Sequence, residues 1–176
     1  LHGVQGVAGS NPAVPTKSEP SRANIFMSRL ECKIPPPITV ILAGILNLGS
    51  TAYSATLFEP PWILISVLGI SSGIFGIGGI SACIRRGTTI HPWSPNETEV
   101  LVTNGVFRFT RNPMYLSLVL LLSAYYFLQP TPFSPFGLLG TLWFLTRFQI
   151  VPEERVLAEK FGHVYLQYKQ TTRRWF

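Results

Sequence analysis

The sequence predicts an all-α integral membrane protein: a helical bundle of about four spans followed by a cytoplasmic, amphipathic C-terminal helix. Three observations lead to this fold class. Only 12% of the 176 residues are charged, whereas soluble domains carry about 25%. Long apolar runs alternate with short polar connections. The net charge of +6 comes from 14 Lys and Arg residues against 8 acidic residues, and the basic residues flank the apolar runs, as expected for cytoplasmic membrane loops.

The first 26 residues differ from the rest of the chain. They are polar and aperiodic and contain Pro, Gly and Ser, which is typical of disorder. They lack the apolar central region of a signal peptide. Residues 6–16 resemble readthrough of an upstream transfer-RNA gene, and Met27 directly precedes the first membrane segment. We therefore expect residues 1–26 to be a disordered or non-native extension, and residues 27–176 to form one domain.

Four apolar runs approach the length of about 20 residues that crosses a bilayer. They cover residues 37–58, 62–84, 114–129 and 133–151. The connections 59–61 and 130–132 contain no Lys or Arg, and the basic residues lie at the opposite ends of the spans. Both termini and the middle loop are therefore predicted to be cytoplasmic. A bacterial inner membrane and an endoplasmic reticulum membrane fit equally well.

Small residues predict where the spans pack closely, because they let two backbones approach each other in lipid. The second span contains a GxxxG pair, Gly69 and Gly73, with Ser72 and Gly76 beside it. The first span carries a stripe at four-residue spacing, which consists of Ala43, Asn47, Thr51 and Ala55.

Residues 153–170 predict an amphipathic helix that follows the last span. Pro152 suits its first turn, and Glu153 and Glu154 lie near its positive N-terminal end. One apolar stripe runs along it at helical spacing, formed by Leu157, Phe161, Tyr165 and Tyr168.

Two polar segments stand at the predicted cytoplasmic face. Residues 105–115 read Gly-Val-Phe-Arg-Phe-Thr-Arg-Asn-Pro-Met-Tyr. After a hydrophobic hairpin, the second segment contains Glu153-Glu154-Arg155, Phe161-Gly162, Tyr165 and Tyr168. With these motifs, residues 85–176 resemble the isoprenylcysteine carboxyl methyltransferase and phospholipid methyltransferase superfamily, and would form its cofactor-binding half.

The resemblance implies methyl transfer from S-adenosylmethionine (SAM) to a lipophilic or small acceptor at the cytoplasmic face. Glu153 would hold the methionine end of SAM through its ammonium group, and aromatic faces suit the sulfonium cation. The other implied cofactor contacts are Leu101, Val102, Phe107, Asn112, Pro113, Met114 and Tyr115.

Three positions depart from the family pattern. Asn112 stands where the family usually has His, and Phe107 stands where it usually has Tyr. Gln149 falls where the prenylcysteine enzymes have an Arg that binds the substrate carboxylate. These departures favour a lipid amine, a thiol or a small amphiphile over a prenylcysteine-like carboxylate as the acceptor.

Three ionisable residues are candidates for the catalytic step. Glu154 is the best base candidate for an acceptor that must lose a proton, and Arg147 or Arg111 could hold an anionic substrate group. Arg147 could equally pair with Glu153 or Glu154 at the interface, and Asn112 could cap the third span.

Other functions remain open at the level of the sequence. An NAD(P)H-dependent, steroid-reductase-like membrane enzyme would share a distant C-terminal pattern. A non-enzymatic small membrane protein would show a polar residue facing a pathway at mid-span, for which Asn47 is the candidate. The basic residues form no continuous patch, so nucleic-acid binding is not expected, and no Cys/His spacing suggests a metal site.

Overall fold

A computed structural model describes residues 31–54, 57–87 and 100–176. These ranges contain helices and connecting segments but no β-strand, which confirms the predicted all-α class for them. The five α-helices are α1 (Pro36–Thr51), α2 (Trp62–Arg85), α3 (Pro113–Leu128), α4 (Ser134–Phe144) and α5 (Val151–Thr171). The predicted extension, residues 1–26, lies outside the described residues.

Helix α2 is the one described helix that is both long and apolar enough to cross a membrane. It has 24 residues, and its most apolar window has a mean hydropathy of 2.1 and is only 11% buried. The core helix of a soluble protein would be mostly buried, so this exposure favours contact with lipid. Helices α1 and α3 are apolar but shorter, and the four-span topology stays a prediction.

Helices α2 and α3 pack along a face of small residues. The Ser72 hydroxyl donates to the Ser117 carbonyl at 2.9 Å, and a Cβ atom on Gly76 would lie 2.6 Å from Ser117 Oγ. By contrast, a Cβ atom on Gly69 or Gly73 would meet no atom of the described residues within 4 Å. The expectation that the GxxxG pair makes the contact is therefore wrong for the described residues, where Ser72 and Gly76 make it instead.

Asn47 fastens α1 to the turn between α3 and α4. Its side chain is 3% exposed, and its amide donates to the Gln129 carbonyl at 3.0 Å. Its side-chain oxygen accepts the hydroxyls of Thr131 and Ser134, each at 2.8 Å. These bonds satisfy the amide, so Asn47 acts in helix packing, as the small-residue stripe indicates. Ala55, the last residue of that stripe, lies outside the described residues.

Helix α4 and the first part of α5 form one continuous helix, joined by a π-helical turn at Leu145–Ile150. Such turns release backbone groups from the regular helical pattern. The Phe148 carbonyl accepts the amide of Cys32 at 2.9 Å, and the Gln149 side chain donates to the Ile34 carbonyl at 2.5 Å. The last predicted span therefore continues into the amphipathic helix without interruption, and residues 31–34 dock on the turn.

Gly162 divides α5 into two parts. Its φ of 51° and ψ of −125° are non-helical and strongly disfavoured for residues that carry a Cβ atom. Tyr165 and Tyr168 lie beyond this kink and are buried, whereas Leu157 and Phe161 before it are half-buried. The predicted stripe therefore packs most tightly in the second part of the helix.

Two glycines of α2 give a matched test. Gly76→Val should lower the melting temperature of the detergent-purified protein by several degrees, because the new side chain collides with Ser117 and overpacking costs about 1–3 kcal/mol. Gly73→Val makes the same chemical change where no atom of the described residues lies within 4 Å of the new Cβ, and should leave the melting temperature near that of the wild type. Equal melting temperatures for the two variants would contradict the α2–α3 contact.

Candidate functional site

The site is built around the corner where the chain enters α3. Pro113 occupies the first turn of α3, as predicted, and the Asn112 carbonyl accepts the Leu116 amide at 2.9 Å. The Asn112 side chain makes no capping hydrogen bond. It donates instead to the Arg174 carbonyl at 3.0 Å, which corrects the capping expectation: the side chain joins this corner to residues that follow α5.

Tyr115 and Glu153 connect the two sequence motifs directly. The Tyr115 hydroxyl donates to Glu153 Oε2 at 3.0 Å, across 38 positions of the chain. Tyr115 is 7% exposed and belongs to a hydrophobic cluster with Val119, Leu145 and Ile150. The ring is therefore held by packing while its hydroxyl orients the carboxylate. The structure brings these two predicted residues together, and their roles toward a cofactor stay predictions.

The electrostatic state of Glu153 is unusual for a glutamate. Its side chain keeps some exposure, yet burial raises the pKa of the carboxyl to about 7. The hydrogen bond from Tyr115 offsets part of this shift, and the negative charge of Glu154 adds to it. Among the described residues no Lys or Arg forms an ion pair with Glu153. A carboxylate without a cationic partner in a partly dry position fits an incoming cation.

Glu154 lies in the opposite environment. Its carboxylate accepts Arg174 Nη2 at 2.8 Å and Arg111 Nη2 at 3.0 Å, and Lys169 Nζ lies 3.6 Å away. Burial alone would raise the pKa of the Glu154 carboxyl, but the Arg174 hydrogen bond and the charges of Arg111 and Lys169 hold it below its usual range. Such a carboxylate is a weak proton acceptor. Its assignment as general base stays a prediction, and the geometry favours a structural role.

Other predicted cofactor contacts line the segment before α3. Val102 and Phe107 pack in one buried cluster with Cys83 of α2, and Leu101 is half-buried next to them in the sequence. The Tyr168 hydroxyl donates to the Phe107 carbonyl at 2.6 Å, so the second part of α5 holds this segment in place. Two further predicted contacts, Pro113 and Met114, lie where a Cβ atom on Gly79 of α2 would meet them.

Arg147 lies apart from this corner. Its Nη1 atom pairs with Glu31 Oε1 at 3.1 Å, and Glu31 also binds Arg155 at 3.0 Å. The expected pairing of Arg147 with Glu153 or Glu154 is therefore wrong, because Glu31 reaches it from the segment before α1. The substrate-binding role of Arg147 stays a prediction.

Sequence reasoning missed the residues that surround Glu154 from the end of the chain. Lys169 and Arg174 contribute two of its three cationic partners, and Thr110 donates its hydroxyl to the Arg174 carbonyl at 3.0 Å. The adjacent Arg173 and Arg174 were visible as a basic pair, but nothing in their spacing identified Glu154 as the partner.

An apolar groove lies elsewhere among the described residues. It has a volume of about 1030 Å³ and runs between α1 and α4, lined mostly by apolar side chains such as Ile38, Leu42 and Phe136. None of the predicted site residues lines it, so the groove and the Tyr115–Glu153 corner are separate features.

The raised pKa of Glu153 has a consequence for stability. A carboxyl ionises more easily in the unfolded chain when its folded pKa is raised, so its ionisation destabilises the fold as pH rises from about 4.5 to 7. Glu153→Gln keeps an acceptor for Tyr115 and removes this cost. We expect the variant to melt at least about 3 °C above the wild type at pH 8, with little difference at pH 4.5. Glu159→Gln, on the exposed side of α5, is the control, and a Glu153→Gln variant that melts below wild type at pH 8 would contradict the shift.

The comparisons with known proteins bear on the family of the chain. A family model described as phospholipid methyltransferase matches residues 64–164, which include α2 from its third residue, α3, α4 and the first part of α5. A 62-residue stretch, 35% of this chain, is 40% identical to 98% of a Haemophilus influenzae protein described as an uncharacterized protein. No solved structure matches the chain significantly. The match spans more than half of the chain and includes both Tyr115 and Glu153, and the chain belongs to the phospholipid methyltransferase family.

Proposed function

We propose that this protein is a membrane methyltransferase that uses SAM and transfers its methyl group to a lipophilic or small acceptor. The observation that carries the proposal is the Tyr115–Glu153 hydrogen bond. It joins the segment before α3 to the start of α5, the two segments that the family resemblance implicates in cofactor binding. Family membership supports methyl transfer as the reaction class.

Glu153 is proposed to bind the ammonium group of SAM. The carboxylate is partly buried, its pKa is raised, and it has no cationic partner among the described residues. A cation placed beside it would restore its ionised form and gain an ion pair in a partly dry environment. Tyr115 would keep the carboxylate oriented, because its ring is held by the surrounding cluster.

The wall of the cofactor site is proposed to come from the segment before α3. Val102 and Phe107 offer apolar and aromatic surface there, and the corner at 112–115 supplies the close backbone. When bound, SAM supplies a methyl group that the acceptor's lone pair takes as the carbon–sulfur bond breaks. The protein's part is to align the two reactants at about 3–3.5 Å and to keep water from the sulfonium.

The membrane arrangement follows from charge and hydropathy. Helix α2 is the clearest candidate to span the bilayer, and the shorter apolar helices α1 and α3, together with α4, would complete a multi-pass bundle. The amide of Leu57 bonds to the Pro130 carbonyl at 3.1 Å, so two connections without Lys or Arg lie side by side. The basic corner at Arg111 would then face the cytoplasm together with both termini.

The acceptor is proposed to be a lipid amine or a thiol rather than a carboxylate. The position that would carry a carboxylate-binding Arg is Gln149, which is 1% exposed. Its side-chain amide is already bonded to the Ile34 carbonyl. The nearest Arg in the sequence, Arg147, is paired with Glu31.

Calorimetric titration of the full-length protein in detergent tests the proposal. We expect saturable binding of SAM and no binding of NADPH. Glu153→Ala should weaken SAM binding at least about 100-fold, the size expected when a buried charge loses its partner. Glu159→Ala removes a glutamate from the exposed side of the same helix and should bind SAM like the wild type.

Three outcomes would decide against the proposal. Absence of SAM binding to the wild type would contradict the proposed SAM-dependent methyl transfer. Binding of NADPH instead would support the alternative function, an NAD(P)H-dependent reductase. Equal SAM affinity for Glu153→Ala and Glu159→Ala would show that the cofactor binds at another place.

The affinity for SAM should depend on pH through Glu153. Only the ionised carboxylate attracts the ammonium group, and burial raises the pKa of this carboxyl to about 7. Affinity should therefore fall about tenfold per pH unit below pH 7 and level off above it. Tyr115→Phe removes a hydrogen bond that lowers this pKa, so it should move the midpoint to higher pH. A flat profile between pH 5.5 and 8 would contradict the role of Glu153.

A further inference from the structure

We propose that Arg174 is a positioning residue for the cofactor site, and that residues 172–176 form a clamp that holds the two site segments together. The inference rests on the proposed function, because the clamp would position the Tyr115–Glu153 pair for SAM. Its basis is the set of contacts that residues 172–176 make with both segments.

The backbone of these residues pairs with the corner that leads into α3. The Arg111 amide donates to the Arg173 carbonyl at 3.0 Å. The Arg174 carbonyl accepts two donors, the Thr110 hydroxyl and the Asn112 side-chain amide, each at 3.0 Å. Three consecutive residues of the corner are thus bonded to two consecutive residues of the clamp.

The side chain of Arg174 binds the other segment. Its Nε and Nη2 atoms donate to the two carboxylate oxygens of Glu154 at 3.0 and 2.8 Å. This two-point contact fixes the orientation of the carboxylate, which a single charge would not do. Trp175 packs against the cluster that contains Tyr115 and Ile150. One short segment therefore contacts the start of α3, the start of α5 and the core between them.

Arg111 shows why the clamp is needed. Its side chain is 7% exposed, and its Nε atom has no hydrogen-bond partner among the described residues. A buried guanidinium is costly unless a carboxylate is held against it. Glu154 supplies that charge, and Arg174 fixes Glu154 from the other side. Loss of the Arg174 side chain would loosen Glu154, then Arg111, and with it the corner that carries Tyr115.

The clamp also acts on Glu153 through charge. Glu153 faces Glu154 and Tyr165 on α5, Tyr115 on α3, Cys32 before α1, and Cys83 on α2. Of these neighbours Glu154 carries the full negative charge, and Arg174 partly neutralises it. Without Arg174, the charge on Glu154 would disfavour ionisation of Glu153 more strongly. Removal of Arg174 should therefore change the pH at which Glu153 can accept a cation.

The test compares Arg174→Ala, Arg174→Lys and Arg173→Ala in the full-length protein. Arg173 is the matched control, because its side chain bonds to the Phe176 carbonyl and its loss removes the same charge from the same segment. Hydrogen exchange of peptides covering 110–116, without ligand, reports on the corner alone. SAM affinity between pH 5.5 and 8 reports on Glu153.

Arg174→Ala is expected to speed exchange in 110–116 about tenfold or more, and to move the midpoint of the SAM-binding profile to higher pH. Arg174→Lys keeps the charge and should retain the wild-type midpoint, with intermediate exchange. Arg173→Ala should match the wild type in both measurements.

Two results would overturn the proposal. Equal hydrogen-exchange rates of the 110–116 peptides in Arg174→Ala and Arg173→Ala would show that the Arg174 side chain does not hold the corner. A loss of SAM affinity that is uniform across pH would show that Arg174 does not act on Glu153 through Glu154. If the wild type binds no SAM, the proposed function fails, and the exchange measurement still decides whether residues 172–176 hold the corner.

Discussion

The ion pairing of Glu154 with Arg111 and Arg174 is the interaction on which the rest of the site depends. Two of the three side chains are largely removed from solvent, since those of Glu154 and Arg111 are each 7% exposed. Neither charge could be buried alone without a cost of several kcal/mol. The pairing therefore forces three distant parts of the chain together: the entry to α3, the start of α5 and the residues after α5. The Tyr115–Glu153 contact lies between two of the segments that these ion pairs hold together.

The adjacent carboxyl groups of Glu153 and Glu154 have pKa values shifted in opposite directions. Three cations surround Glu154 and hold its pKa low, whereas Glu153 has a tyrosine hydroxyl as partner and a pKa raised to about 7. The helix places them on neighbouring positions but turns them toward different surroundings. Environments that push the ionisation of two neighbouring acids apart are a recurrent mark of functional sites. In this protein the division is between Glu154, whose ion pairs stabilise the fold, and Glu153, which is proposed to bind the cofactor.

Much of the fold was predictable from local patterns. Long apolar runs located α2 and α3 to within a residue or two, and Pro113 marked the start of α3 because its missing N–H is tolerated there. The family resemblance also implied that Tyr115 and Glu153 lie near each other, and a hydrogen bond joins them. Contacts that depend on the direction of a side chain were not predictable. The spacing of small residues identified helix faces suited to close packing, but not which of them meets α3.

The remaining features that were not predicted depend on contacts between residues that are distant in the sequence. No local sequence pattern predicts the ion pair of Glu31 with Arg147 or that of Arg174 with Glu154. The partners of these charged side chains lie far away in the sequence and come close only in the folded chain. The π-helical turn also escaped prediction, since the carbonyl of Phe148 and the side chain of Gln149 are bonded to residues 31–34, more than 110 positions earlier in the chain. A glycine at position 162 permits a kink in the helix, but the sequence does not predict the direction in which the helix bends there.

A structure of the full-length protein with S-adenosylhomocysteine, the demethylated product of SAM, tests the central claim most directly. We expect the amino group of the ligand within hydrogen-bond distance, about 2.7–3.2 Å, of the Glu153 carboxylate. The Tyr115 hydroxyl should remain bonded to the same carboxylate. A ligand bound elsewhere, or a Glu153 that keeps no contact with it, would contradict the assignment of this corner as the cofactor site.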